Sequence, residues 1–213
     1  MQPGQSRACR SVGESMQWAS DGSAQMRELG MESTLSHLHE MPQTMSTACS
    51  GIRTPELSQR MMGKALGIHV KNLWAIERDA NCQAEILVEQ NNLGESGHVV
   101  GNMLDLFEVE DQYRIMNLPP EESRDYILRT AIIKKKVPCL ACRAECALER
   151  AHIHVAGTPC VHDSRYGKQQ KTSGKHAWVF WSFVKQRMSL KEPFWIAENV
   201  TEQGSPKTVQ TIQ

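Results

Sequence analysis

The sequence predicts an α/β fold built on a doubly wound, mostly parallel sheet. Three observations predict it. Short apolar runs alternate with helix-like segments between residues 44 and 200. A turn of small residues, Cys49-Ser50-Gly51, follows the first apolar run and leads into a helix. An acid, Glu77, closes the second run, where such sheets hold a ligand's hydroxyl groups.

The elements follow in order. Residues 1–43 are rich in Ser, Gln, Met and Gly without a sustained period, and read as a disordered leader with at most a weak helix near Gln25–His39. Residues 44–49 form a first strand. Pro55–Leu66 is a helix, with proline near the first turn, where a missing N–H costs little, and Gly67 at its end. Residues 72–77 are a second strand, Ala80–Gln90 a helix and His98–Val100 a short third strand. Residues 106–150 are a long insertion carrying a charged helix, Glu121–Lys135. Residues 151–156 are a fourth strand, His176–Arg187 an aromatic-rich helix and Phe194–Ala197 a fifth strand. Residues 201–213 read as a polar tail. The folded domain is thus expected over residues 44–200.

Composition bounds the function. The chain has 213 residues, 40% of them hydrophobic, with Lys+Arg and Asp+Glu balanced at 24 each. No run approaches the roughly 20 apolar residues of a membrane span, and the amino terminus lacks the apolar stretch of a secretory signal. The expectation is an intracellular protein, nuclear in a eukaryote and otherwise cytoplasmic, with no membrane partner. Charge balance neither supports nor excludes DNA, so contacts to it fall to local clusters such as Lys134–Lys136 and Arg165–Lys175. Seven cysteines, an odd number, suit a reducing compartment and free thiols.

Four places carry candidate chemistry. Ser50, Gly51 and Ile52 lie in the turn after the first strand, where backbone N–H groups can approach a ligand. Glu77 can accept two hydroxyl hydrogen bonds, although a lone acid there is more often a cap or a solvated carboxylate. Asn102, after the third strand, can meet a base edge or simply make a turn. Cys160, in GTPCVHDSRYG, and Glu198, in FWIAENV, each follow an apolar strand and so fall at the carboxyl edge, where α/β sites form. A lone cysteine there is usually structural. The aromatic stripe Trp178, Phe180, Trp181 and Phe183 reads as core.

Together these strings resemble the DNA cytosine-5 methyltransferases. SGIRTPEL looks like the family's first motif, AIERD its second, GTPCVHDSRYG its Pro-Cys nucleophile loop and Glu198-Asn199-Val200 its Glu-Asn-Val motif. The order is the family's over about three quarters of the chain, and four motifs in order weigh far more than one. The resemblance implies a Rossmann-like, S-adenosylmethionine-dependent methyltransferase fold acting on DNA. By it, Cys160 attacks C6 of a flipped cytosine, C5 takes the methyl group, and Glu198 holds N3 and the exocyclic amine. Glu77 holds the cofactor ribose, Asn102 the adenine amine, and Ser50, Gly51 and Ile52 the methionine end.

The sequence also departs from the family. Val161 follows the nucleophile where the family commonly has Gln, and Arg53 and Thr54 replace small residues. Only residues 201–213 follow the Glu-Asn-Val motif, so the last strands, the recognition region and the final cofactor motif are expected to be missing. The implied outcome is weak or no turnover by this chain alone. The alternatives are an inactive methyltransferase-fold binding protein, a second chain that supplies the recognition half, or an unrelated nucleotide-binding domain with a structural Cys160. Cys139-x-x-Cys142-x-x-x-Cys146 with His152 or His154 can be drawn as a mixed zinc site. The usual four-ligand spacing is lacking, so the expected reading is a thiol-rich loop with no metal.

Overall fold

The structure, a computed structural model, describes residues 12–40, 42–93, 97–159, 174 and 176–198. The chain divides into two compact units, Met1–Gln43 with Thr54–Lys71, and Thr44–Arg53 with Asn72–Gln213.

The first unit is helical. Helix α1 (Val12–Glu28) packs on α3 (Thr54–Leu66), and α2 (Glu32–His39) lies between them in sequence. This is more order than the sequence reading assigned to the leader. The reason is the interface: Ala19 and Ser23, one turn apart, are buried, and Ser23 Oγ donates to the Ala65 carbonyl at 3.4 Å. Small residues let helices approach without raising local hydropathy, so no apolar period marks the face. Gly63, inside α3, has a different role. A Cβ there would sit 2.3 Å from Val70 Cγ2 and 2.9 Å from the Ile68 carbonyl oxygen, so the turn back into the sheet requires glycine.

The sheet contains β1 (Gln43–Ala48), β2 (Val70–Ile76), β3 (His98–Val100), β6 (Ile153–Gly157) and β7 (Phe194–Glu198), in the order β3-β2-β1-β6-β7. It is a five-stranded parallel sheet flanked by helices, compatible with a Rossmann-like fold. From β1 the order runs outward to β2 and β3, then reverses to β6 and β7. That reversal is the topological switch point of doubly wound sheets, and the crevice beyond the strands' carboxyl ends there is where such sheets bind ligands. Helix α4 (Ala80–Leu93) connects β2 to β3, and α7 (Ala177–Leu190) precedes β7.

Between β3 and β6 the insertion forms a 3-10 turn (Met103–Leu106), α5 (Val109–Asn117), α6 (Pro120–Arg129) and an antiparallel hairpin of β4 (Val137–Cys139) and β5 (Ala144–Cys146). The predicted charged helix ends at Arg129, six residues short of the expected Lys135. Leu106, Phe107, Ile115, Ile127 and Val137 bring this insertion into one core with Trp74, Ile76, Ala156, Trp178 and Phe183. The insertion therefore completes the hydrophobic core. Phe180 and Trp181 pack against that core, which supports the reading of the aromatic stripe as packing.

A polar group is buried inside this apolar set. His154 on β6 is fully buried, and its Nδ1 lies 2.8 Å from Ser46 Oγ on β1. Burial first, and the Arg187 charge second, hold its pKa well below 6.5. The unfolded chain therefore takes up a proton that the folded chain refuses. Stability from this group is complete above about pH 6.5 and is lost as pH falls from there towards the depressed folded value. Arg187 and Glu192 are the charged groups of this cluster. Burial raises the Glu192 carboxyl above 4.5, so its contribution runs the opposite way, present below 4.5 and lost as pH rises. Urea midpoints measured between neutral pH and about pH 5 should fall on acidification, and should fall less in His154→Gln. An equal slope in both proteins would remove His154 as the cause.

Candidate active site at the carboxyl edge

The site begins with the chain reversal after β1. Cys49, Gly51 and Arg53 have φ of 52°, 53° and 65°, left-handed backbone at every second residue. Only one of the three is glycine, so the loop is strained and needs anchors. Ser50 provides one: its N–H and its Oγ both donate to the Ile76 carbonyl, each at 3.3 Å, and Oγ lies 2.6 Å from Thr47 Oγ1. Arg53 provides another, buried and 3.5 Å from the Glu89 carboxylate on α4.

Glu77 is the third anchor. It directly follows β2, is 9% exposed, and its Oε2 accepts the Gly51 N–H at 2.7 Å. Its Oε1 accepts the Asp79 N–H at 2.8 Å. A carboxylate has about four acceptor positions, so each oxygen keeps capacity for a hydroxyl. A Cβ built on Gly51 would meet nothing within 4 Å, so the space over the loop is open, and Ile52 is 71% exposed at its tip. The expected group of Ser50, Gly51, Ile52 and Glu77 is thus brought together.

Asn102 is held nearby in the chain's third loop. Its Oδ1 accepts the Leu104 N–H at 3.1 Å and caps the 3-10 turn. Gln83, which sequence reasoning passed over, ties the second and third strand ends together. Its Nε2 donates to the Glu77 carbonyl at 2.7 Å and to the Gly101 carbonyl at 3.3 Å. No local signal separates it from any polar helix residue. Asp79 was missed too, although an aspartate just before a helix is a readable N-cap signal. Its Oδ1 accepts the N–H groups of Asn81 and Cys82.

On the other side of β1, Gly157 pairs with Glu198 across β6 and β7. A Cβ on Gly157 would lie 3.5 Å from Glu198 Oε2 and 3.8 Å from the Cys49 carbonyl oxygen. Glu198 is exposed at this edge. Thr158 and Pro159 continue from β6 at the same end, while Cys160, Asn199, Val200 and, of the basic cluster, residues 165–173 and Lys175 lie outside the described residues. Cys49 is a described thiol at this edge, as is Cys82 on the first turn of α4, and the chemistry of Cys49 is poor. Burial first, then the Glu77 carboxylate, push its pKa up to about 12, against a smaller opposing effect of Arg78. It stays a neutral thiol at physiological pH, and only a thiolate attacks well.

The histidines drawn as possible zinc ligands go elsewhere. His152 Nδ1 accepts the Thr44 N–H at 3.1 Å, and His154 is the buried ring beside Ser46. In both rings Nδ1 meets a hydroxyl-bearing residue of strand β1 alongside, and neither histidine belongs to the group that gathers at the cysteines. No described helix is long and apolar enough to cross a membrane. No protein-family model matches this chain, and no curated protein matches it significantly.

Proposed function

We propose that this chain binds S-adenosylmethionine at the carboxyl edge of its sheet and methylates C5 of cytosine in DNA. One observation carries the cofactor half: Glu77 accepts the Gly51 N–H at 2.7 Å beside the strand-order reversal. That pairing puts a carboxylate and an open glycine loop side by side, which suits a ribose diol next to a chain of small polar atoms. Glu77 holds the ribose hydroxyls, Ser50, Gly51 and Ile52 line the methionine end, and Asn102 meets the adenine. The cofactor supplies an electrophilic methyl group. The catalytic half rests on the resemblance to the cytosine-5 methyltransferases, with support from Glu198 beside Gly157, three residues before Cys160. Glu198 is exposed there, as a group must be that receives a base flipped from a duplex.

Calorimetry with S-adenosylhomocysteine tests the cofactor half. Saturable binding is expected. Glu77→Ala should weaken it about 10–100-fold, since hydrogen bonds to a charged group contribute about 1.5–3 kcal/mol each. Glu77→Gln keeps an acceptor for the Gly51 N–H and should weaken it less, with an unchanged circular dichroism spectrum. Absence of binding heat, or equal affinity in Glu77→Ala, would overturn the reading.

A further inference from the structure

The fold brings His98 to a cluster of three cysteines, the first of which lies 41 residues further along the chain. His98 opens β3, Cys139 ends β4, Cys142 lies in the hairpin turn and Cys146 ends β5. One ligand atom from each lies within 4.8 Å of all the others. His98 Nδ1 is 3.4 Å from Cys142 Sγ and 3.7 Å from Cys139 Sγ. A tetrahedral zinc ion, with Zn–S about 2.3 Å and Zn–N about 2.0–2.1 Å, sets N···S edges of about 3.6 Å. The two measured edges fall on either side of that value.

Three further features fit a metal. The cluster contains three sulfurs and one imidazole, a soft donor set that selects zinc over hard cations. Cys139 Sγ accepts two backbone N–H groups, from Val99 and Cys142, each at 3.4 Å. Such donors stabilise a thiolate and orient it, as outer-shell partners do in metal sites. The turn is also preset: Arg143 adopts φ 54°, and its N–H donates to the Cys139 carbonyl at 2.9 Å, closing the loop around the sulfurs. Burial is graded, with Cys139 buried, His98 and Cys146 half-buried and Cys142 exposed. An ion can therefore enter from solvent.

We propose that His98, Cys139, Cys142 and Cys146 form a structural zinc site that clamps the β4–β5 hairpin to the start of β3. Four protein ligands close the tetrahedron and leave no position for substrate, which makes the site structural. Binding releases three thiol protons, and the site carries one net negative charge: three thiolates, a neutral imidazole and a divalent cation. The clamp has a reason. A two-stranded hairpin is marginal alone in water, and this one is joined to the sheet by the Leu140 N–H, which donates to the Val99 carbonyl at 2.7 Å. Leu140 Cδ1 also comes within 3.9 Å of where a Gly101 Cβ would be, next to Asn102. The metal would fix the third-strand segment that leads into the carboxyl-edge site, yet the inference stands whether or not that site binds S-adenosylmethionine.

The test is elemental analysis of the full chain, purified without metal-binding tags, together with cobalt exchange. About one zinc per chain is expected. Cobalt substitution should give the intense visible bands of a tetrahedral thiolate site. His98→Gln and Cys142→Ser should each lower zinc affinity by more than about 100-fold, because even outer-shell partners cost about 10–100-fold. His152→Gln should leave zinc content unchanged. Limited proteolysis should open the hairpin when zinc is removed and close it when zinc is restored, which covers the case of a variant that folds poorly. Zinc far below one equivalent after zinc-supplemented growth would overturn the proposal. So would unchanged zinc in Cys142→Ser, an iron–sulfur chromophore, or a disulfide among these cysteines in the purified chain.

Discussion

Replacing Glu192 with alanine is expected to remove about 3–5 kcal/mol of folding stability. Glu192 and Arg187 form an ion pair in which both side chains are largely buried. Arg187 is held between rings, 5.8 Å from the Trp74 centroid and 5.5 Å from that of Phe183. Ser46 Oγ donates to Glu192 Oε1 at 3.5 Å. Burial pulls the Arg187 pKa down to about 10 against the favourable Glu192 charge, which still leaves it cationic at neutral pH. Without Glu192 that cation has lost its counter-ion in an apolar setting, and this accounts for the expected loss. The control is the double replacement Arg187→Met, Glu192→Leu. Removing both charges avoids the stranded ion, so the double variant should be more stable than Glu192→Ala and can approach the original protein. Urea unfolding of the three proteins decides it. A loss below about 1 kcal/mol in Glu192→Ala would mean that solvent reaches the pair and screens it.

A duplex carrying 5-fluorocytosine tests the proposed methyl transfer against the sequence expectation of weak or no turnover: a competent chain would form a covalent adduct with it in the presence of S-adenosylmethionine, and Cys160→Ser should abolish that adduct. In the proposed reaction, attack by the Cys160 thiolate on C6 makes C5 nucleophilic, and C5 takes the methyl group from the sulfonium, which leaves as the neutral thioether S-adenosylhomocysteine. Elimination would then remove the C5 proton and free the cysteine. Fluorine at C5 cannot leave as a cation, so the chain would stay attached. Glu198→Gln should reduce the rate by about 100–10,000-fold, the range for general acid–base and electrostatic groups. Cys82→Ser, on the first turn of α4, should leave the yield unchanged. Burial and the Glu77 carboxylate push the Cys49 thiol up to about 12, so Cys49 is not expected to supply a thiolate in the variant. Cofactor binding without any adduct would favour an inactive binding protein, and an adduct that survives Cys160→Ser would remove Cys160 from the nucleophile role.

Much of this arrangement was legible because it depends on local patterns. The apolar runs at 44–49, 72–77 and 194–197 lie within two residues of β1, β2 and β7 at each end; β1 and β2 are mostly buried, as apolar strands of a parallel sheet are, whereas β7 is exposed along its length. The place of Glu77 at a strand end was legible because an acid closes the apolar run there, but its hydrogen bonds to the Gly51 and Asp79 N–H groups were not. What was not legible depends on partners distant in sequence. His98 reaches the cysteines only because β3 and β4 are neighbours across the insertion, and nothing in HVVGN signals a ligand. His152 and His154 looked better placed by spacing, but parallel pairing sets Ser46 against His154 and Thr44 beside His152, and the hydroxyls capture both rings. Nothing in the sequence marks Arg187 and Glu192 as a pair, because burial of a salt bridge leaves no periodic mark. The α1 helix escaped notice because its buried face uses alanine and serine.

The hydrogen bond from Gly51 to Glu77 gives the protein a natural gauge. The Gly51 amide proton points at a carboxylate oxygen, so its resonance should lie downfield and its exchange with deuterated solvent should be slow only while that bond persists. On the proposed cofactor reading, a diol that hydrogen-bonds the remaining acceptor positions of Glu77 would draw on the same carboxylate charge, and the amide resonance would move with occupancy. One backbone proton would then report binding without a label, a chromophore or a substrate turnover.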